Sequence, residues 1–151
     1  MYSTLLIAHS LLRWLVVLSL LYSIYRGWLG SSRQIAFTKA DNSLRHWTAT
    51  IAHIQLMLGI VLYTQSPMVK FYFTDYEDTS GEALFFGIIH IILMLAAIVI
   101  ITIGSAKAKR QSTDSQKFRT MLTYFGIGLL IIFVAIPWPF SPLAHRPLMR
   151  Y

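Results

Sequence analysis

Long apolar runs alternate with short polar connections along most of the chain. Four runs are each long enough to cross a hydrocarbon core of about 30 Å, which takes roughly 20 helical residues. They cover about residues 4–29, 44–65, 83–105 and 118–137. In lipid an open strand would leave backbone N–H and C=O groups unsatisfied, and the runs lack the two-residue alternation of a barrel strand. The pattern therefore predicts four transmembrane helices.

The connections between the runs are short, which favours antiparallel packing of consecutive helices. We expect an all-α integral membrane protein, with residues 1–151 forming one transmembrane domain that folds as an up-down-up-down four-helix bundle. The first run has no basic leader and no clear small-residue cleavage motif, so we expect it to be kept as an anchor.

The distribution of charge predicts the orientation of the bundle. The first connection carries four Lys or Arg residues and the third carries five, out of 13 in the whole chain. The middle connection holds most of the acidic residues. Because Lys and Arg mark the cytoplasmic side of a membrane protein, both termini and the acidic loop are predicted to be external. The basic residues are Arg26, Arg33, Lys39 and Arg45 in the first connection, and Lys107, Lys109, Arg110, Lys117 and Arg119 in the third.

Composition excludes several classes of protein. Of the 151 residues, 56% are hydrophobic and 13% are charged, whereas soluble domains average about 45–50% and about 25%. The basic residues that give the net charge of +7 lie mostly in the connections between the apolar runs. They are not gathered on one face, so no nucleic-acid partner is expected. The absence of cysteine from the sequence excludes disulfides, thiolate zinc sites, iron–sulfur clusters and covalently attached c-type haem.

Polar residues inside the apolar runs are costly and are therefore candidates for function. His9 and Arg13 lie one turn apart on the first helix, His53 lies on the second and His90 on the third. At 1.5 Å per residue, His9 and His90 are each expected about 10 Å below the external boundary. His53 and Arg13 are expected to lie deeper in the membrane.

Histidines on different helices, without cysteine and without a carboxylate in the core, favour ligation of haem b. We predict His9 and His90 as the axial pair, on helices taken to run in opposite directions, with His53 as a reserve ligand. Arg13 is predicted to be the electrostatic neighbour of the haem, able to hydrogen-bond a propionate. Zinc is disfavoured because the candidate ligands lie at several depths.

The remaining candidates are assigned supporting or structural roles. Gly87 and Ala97 share a face with His90 and are expected to leave room for a flat macrocycle. His46 and His145 are expected to be interfacial, or to form hydrogen bonds between helices.

Short motifs in the chain resemble those of a known group. The sequence Ala-His-Ser-Leu-Leu-Arg-Trp at residues 8–14 is followed by Arg-His-Trp at residues 45–47 and by one embedded histidine in each of the next two helices. This pattern resembles small bacterial four-helix membrane proteins classed as cytochrome b, and is more loosely similar to the cytochrome b561 and CopD-like groups. The resemblance implies haem b electron transfer in the bacterial inner membrane, between a quinone pool or membrane redox complex and an external redox partner.

Two other classes of function stay open at the level of sequence. One is a structural or assembly subunit without haem, in which His and Arg join helices within a homo-oligomer or a larger complex. The other is a small transporter of copper or protons that uses the His, Met and Arg side chains. No acid–base pair and no nucleophile with a base is visible, so the sequence assigns no catalytic residue.

Overall fold

The computed structural model describes residues 1–74 and 81–141, together with Ala144 and Pro147. Within these residues the chain is helical and contains no strand. The helices are α1 (Tyr2–Arg33), α2 (Lys39–Gln65), α3 (Pro67–Thr74), α4 (Glu82–Arg110) and α5 (Asp114–Ala135). Four of these, α1, α2, α4 and α5, are long and apolar enough to cross a membrane, which confirms the predicted helical segments.

The four long helices pack in a ring that follows their order in the sequence. Contacts join α1 to α2, α2 to α4, α4 to α5, and α5 back to α1. Neighbours run antiparallel: Ser23 Oγ lies 2.9 Å from Thr48 Oγ1, and Arg26 is paired with Asp41 earlier on α2. The helices therefore alternate in direction, as predicted. The expectation that the two helices carrying His9 and His90 run oppositely is wrong, because α1 and α4 are diagonal partners in this ring and run parallel.

The helices extend beyond their apolar runs at the basic end of the bundle. α2 begins at Lys39 because Thr38 caps it: Thr38 Oγ1 accepts a hydrogen bond from Asp41 N, and Asp41 Oδ2 accepts one from Thr38 N. α5 begins at Asp114, and the Thr113 side chain accepts a hydrogen bond from the backbone N–H of Gln116, three residues farther on. An apolar run predicts the part of a helix that can lie in a membrane, whereas the capping residues determine where the helix begins.

One turn of α4 departs from α-helical geometry. Phe85–Ile89 forms a π-helical turn that ends directly before His90. A π-turn rotates the residues that follow it relative to those before it, and such turns are frequent at functional sites. The apolar pattern did not predict this turn.

The apolar residues divide between a narrow core and a wide outer surface. Leu20, Ala52, Ile101, Met121 and Phe125 are buried between the helices. In each spanning helix only 17–33% of the most apolar window is buried within the bundle. Most apolar side chains therefore point outward, and such a surface fits a multi-pass membrane protein.

Candidate cofactor-binding cavity

A cavity of about 370 Å³ lies between the helices, in the half of the bundle where α1 and α4 begin. Its volume falls within the range of about 300–1,000 Å³ typical of small-molecule and cofactor sites. Most of its wall is apolar. His9 and Arg13 from α1, Gln55 from α2 and His90 from α4 line it together. The structure thus brings three of the four predicted site residues to one cavity.

His90 presents a defined side of its ring to the protein. Its Nδ1 lies 2.9 Å from the carbonyl oxygen of Ala135, the last residue of α5. A carbonyl can only accept, so Nδ1 carries the proton and Nε2 carries the lone pair. This is the usual arrangement of a metal-ligating histidine, whose second nitrogen donates to a carbonyl or carboxylate. Phe85 and Phe86, from the π-turn, pack against the ring with centroids 5.6 and 6.0 Å away.

His9 is held by α2. Its backbone carbonyl accepts a hydrogen bond of 2.9 Å from Gln55 Nε2. The Nδ1–Cε1 edge of its ring faces Gly59, where a Cβ atom would lie 3.3 Å from Cε1 and 3.8 Å from Nδ1. The close approach of this ring to α2 depends on glycine at that position.

Two buried polar atoms in the cavity wall have no hydrogen-bond partner among the described residues. They are His9 Nδ1 and Gln55 Oε1. An unsatisfied buried polar atom costs about 1–3 kcal/mol. Both atoms belong to residues that line the cavity.

Arg13 places a positive charge beside the two imidazoles. It lines the same cavity, and its Cζ lies 5.3 Å from the centroid of the Trp14 ring. A guanidinium can hold a carboxylate by two hydrogen bonds, as predicted for a haem propionate.

His53 lies outside the cavity, on the outer surface between α2 and α4. Its Nδ1 is 2.7 Å from the carbonyl oxygen of Ala49, and its Nε2 is 3.0 Å from Thr102 Oγ1. Both nitrogens are therefore engaged: Nδ1 contacts the preceding turn of α2, and Nε2 joins α2 to α4. The structure does not bring the predicted reserve ligand to His9 and His90.

The other two histidines are not part of the cavity wall as described. His46 is exposed near the start of α2, with its ring centroid 5.9 Å from that of Trp47. This position agrees with the interfacial role expected for it. His145 lies outside the described residues.

The small residues near His90 do not leave the space expected of them. A Cβ at Gly87 would lie 2.6 Å from Cγ of Tyr72, so the ring of Tyr72 fills this space from α3. Ala97 is fully buried in the helix core and is not part of the cavity wall. The expectation that these two residues make room for a macrocycle is wrong, since a neighbouring helix and the core take up that space.

Sequence reasoning missed two residues of this site, Gln55 and Gly59. Gln55 could have been found by the criterion that selected the histidines, because an amide inside an apolar helix carries a similar cost. Gly59 gave no signal of its own, because its importance depends on a tertiary contact with His9.

The donor set of the cavity limits which metals it can hold. Among the described residues, no group of three or more His, Cys, Asp or Glu side chains could hold a metal ion. A structural zinc site takes four protein ligands. Haem iron takes its equatorial ligands from the porphyrin, so one or two imidazoles are enough. Two histidines facing one apolar cavity therefore fit haem better than a bare ion.

No protein-family model matches the chain, and neither a curated protein nor a solved structure matches it.

Proposed function

We propose that this chain is a haem b electron-transfer protein of the bacterial inner membrane, with His9 and His90 as the axial ligands of one haem. The observation that carries the proposal is the shared cavity between diagonal helices. His90 turns its Nδ1 toward Ala135, and His9 turns its Nδ1–Cε1 edge toward Gly59. In each ring Nε2 is the nitrogen left for iron.

The haem would supply one-electron redox chemistry between the ferric and ferrous states of its iron. The chain's own residues hold the iron, exclude water and set the local charge. The apolar wall keeps the site dry, which strengthens every electrostatic interaction inside it. Arg13 contributes a positive charge that favours the ferrous over the ferric state.

The partners we propose follow from the expected orientation. With the basic connections in the cytoplasm, the cavity lies in the external half of the membrane. A quinone pool or a membrane redox complex would then exchange electrons within the bilayer, and a redox protein would do so on the external side.

Absorbance spectra of the detergent-purified protein, expressed in haem-replete cells, test this function. The wild type is expected to show a Soret band, reduced α and β bands, and one extractable haem b per chain. His9→Ala and His90→Ala should each lose stoichiometric haem, because each removes an axial ligand. His46→Ala is the matched control and should keep it, since His46 is exposed near the start of α2.

Two results would contradict the proposal. A colourless wild type that takes up no added haem would rule out the function. Unchanged low-spin spectra in both His9→Ala and His90→Ala, with loss of haem in His53→Ala, would rule out the ligand pair.

A further inference from the structure

The two polar atoms of the Gln55 side chain differ in their contacts: among the described residues, Nε2 is hydrogen-bonded to His9 and Oε1 is not hydrogen-bonded. Its Nε2 donates to the backbone carbonyl of His9 at 2.9 Å, which fixes the amide beside that residue. Its Oε1 is buried without a hydrogen-bond partner among the described residues, and so is Nδ1 of His9. One of these atoms is an acceptor, and the other is a donor whenever it carries the ring proton. The two unsatisfied atoms are chemically complementary.

We propose that Gln55 is a positioning residue for His9: its Oε1 accepts a hydrogen bond from Nδ1–H and leaves Nε2 free toward the cavity. Gly59 follows Gln55 by four residues and so lies on the same face of α2. It accommodates the Nδ1–Cε1 edge of the ring next to that amide. The side-chain torsion of histidine about Cβ–Cγ is broad, so rotation of the ring is the movement that this contact requires.

In this assignment each of the two imidazoles donates a hydrogen bond from Nδ1 to an acceptor of the protein. His90 donates its Nδ1 proton to a backbone carbonyl, that of Ala135, which no side-chain substitution removes. His9 would donate to a side chain, which can be replaced. An acceptor at Nδ1 raises the basicity of a ligating imidazole. A more basic ligand stabilises ferric iron, so the acceptor at position 55 lowers the midpoint potential of the haem.

The role in tuning the haem depends on the proposed function, and midpoint potentials test it with two variants at one position. Gln55→Leu and Gln55→Glu both lose the donor to the His9 carbonyl, so they share any structural damage. They differ in the acceptor, which is absent in the first and stronger in the second. We expect the potential to rise in Gln55→Leu and to fall in Gln55→Glu.

Gln65→Leu is the matched control, because it changes the same residue type on the same helix outside the cavity. Its potential should equal that of the wild type. Shifts in the same direction for both Gln55 variants, or no shift in Gln55→Leu, would overturn the assignment.

A second measurement needs no haem. Nitrogen-15 NMR of the haem-free protein with labelled histidines reports which ring nitrogen carries the proton, and His9→Ala identifies the His9 signals. We expect the Nδ1–H tautomer in the wild type and in Gln55→Glu, and a gain of the Nε2–H tautomer in Gln55→Leu. An identical tautomer in Gln55→Leu and the wild type would overturn the role of Gln55. A colourless wild type would contradict the proposed function alone, and the NMR result would still decide whether Gln55 positions His9.

Discussion

Apart from His46 near the start of α2, three described histidines lie within the long helices, and each ring makes different contacts. His53 engages both nitrogens: Nδ1 contacts the Ala49 carbonyl on its own helix, and Nε2 contacts Thr102 on α4. His90 uses one nitrogen to reach α5, and His9 has a buried nitrogen without a described partner. A ring that keeps Nε2 available beside a cavity can bind a ligand, whereas the His53 ring is engaged at both nitrogens.

Gly59 sets how closely the His9 ring approaches α2. A methyl group at this position would lie 3.3 Å from Cε1 of His9, so the ring would have to shift. We expect Gly59→Ala to weaken haem binding by about tenfold or more, as substitutions that support a metal ligand often do. Haem titration of the haem-free protein, with the low-spin electron paramagnetic resonance signal, measures this.

Gly126→Ala is the control for that substitution. The new methyl group there meets no atom within 4 Å, and both variants gain the same helix propensity. Equal haem affinity in the two variants would show that the His9 ring does not depend on the space at position 59.

Arg13 is expected to raise the midpoint potential of the haem. It lines the cavity that holds both imidazoles, and removal of a nearby positive charge favours ferric iron. Arg13→Leu should therefore retain haem and have a lower potential, whereas Arg13→Lys should stay nearer to the wild type. Arg33→Leu, at the far end of α1, is the control. Equal potentials in Arg13→Leu and Arg33→Leu would remove Arg13 from the electrostatics of the site.

The sequence predicted which polar side chains to examine but not how they are arranged. His9, Arg13 and His90 stand out because each is costly inside an apolar helix. The engagement of His53 depends on Thr102, which is 49 residues away. The role of Gln55 depends on a backbone carbonyl 46 residues away. Such contacts follow from the rotation of each helix about its axis, which hydrophobic periodicity does not specify closely enough.

At the scale of elements, the junction of α1 and α2 is held by a buried carboxylate. The Asp41 side chain is 3% exposed, and one of its oxygens lies 2.8 Å from Arg26 Nη2. Its other oxygen accepts from the backbone N–H and the hydroxyl of Thr38. One side chain therefore completes the capping box of α2 and ties this helix to α1.

Asp41→Ala should destabilise the protein strongly. It removes the carboxylate half of the capping box and leaves the guanidinium of Arg26, which is 22% exposed, without its carboxylate. Breaking a largely buried ion pair costs about 3 kcal/mol or more. Thermal unfolding in one fixed detergent should show a clearly lower midpoint. The haem spectrum should stay unchanged below that midpoint, because the cavity lies in the other half of the bundle.

Asp114→Ala provides the comparison at the start of α5. Asp114 is 46% exposed and lies 3.7 Å from Lys117, so its removal should cost under about 1 kcal/mol. If both substitutions lowered the midpoint equally, the pair between Arg26 and Asp41 would not be the tie between α1 and α2.

The π-turn of α4 is a feature of helix geometry that the sequence did not predict. The segment Phe85–Ile89 reads as ordinary apolar helix. The carbonyl oxygen of Gly87 accepts a hydrogen bond of 2.7 Å from the Tyr63 hydroxyl, and Tyr72 packs against Gly87. Both partners belong to other helices, so the local sequence of α4 does not predict these contacts.

At the scale of the whole molecule, the bundle has two chemically different ends. The cavity occupies the half where α1 and α4 begin. The other end carries most of the Lys and Arg residues and the capped starts of α2 and α5. At this end Arg45 also donates two buried hydrogen bonds from Nη1 to the carbonyl oxygen and the hydroxyl of Ser105. In the proposed function, the end that faces the cytoplasm determines from which side an electron partner would approach the cavity.

Single cysteines at the two ends of α1 determine this orientation. The sequence has no cysteine, so each label is unambiguous, and Ser3 and Ser32 are exposed near opposite ends of one spanning helix. By the positive-inside rule, a membrane-impermeant maleimide should label Ser3→Cys on intact spheroplasts and Ser32→Cys only after permeabilisation. The reverse result would invert the bundle, moving the cavity to the cytoplasmic half and excluding an external redox partner without affecting haem binding. Labelling of both sites from outside would contradict the crossing of the membrane by α1.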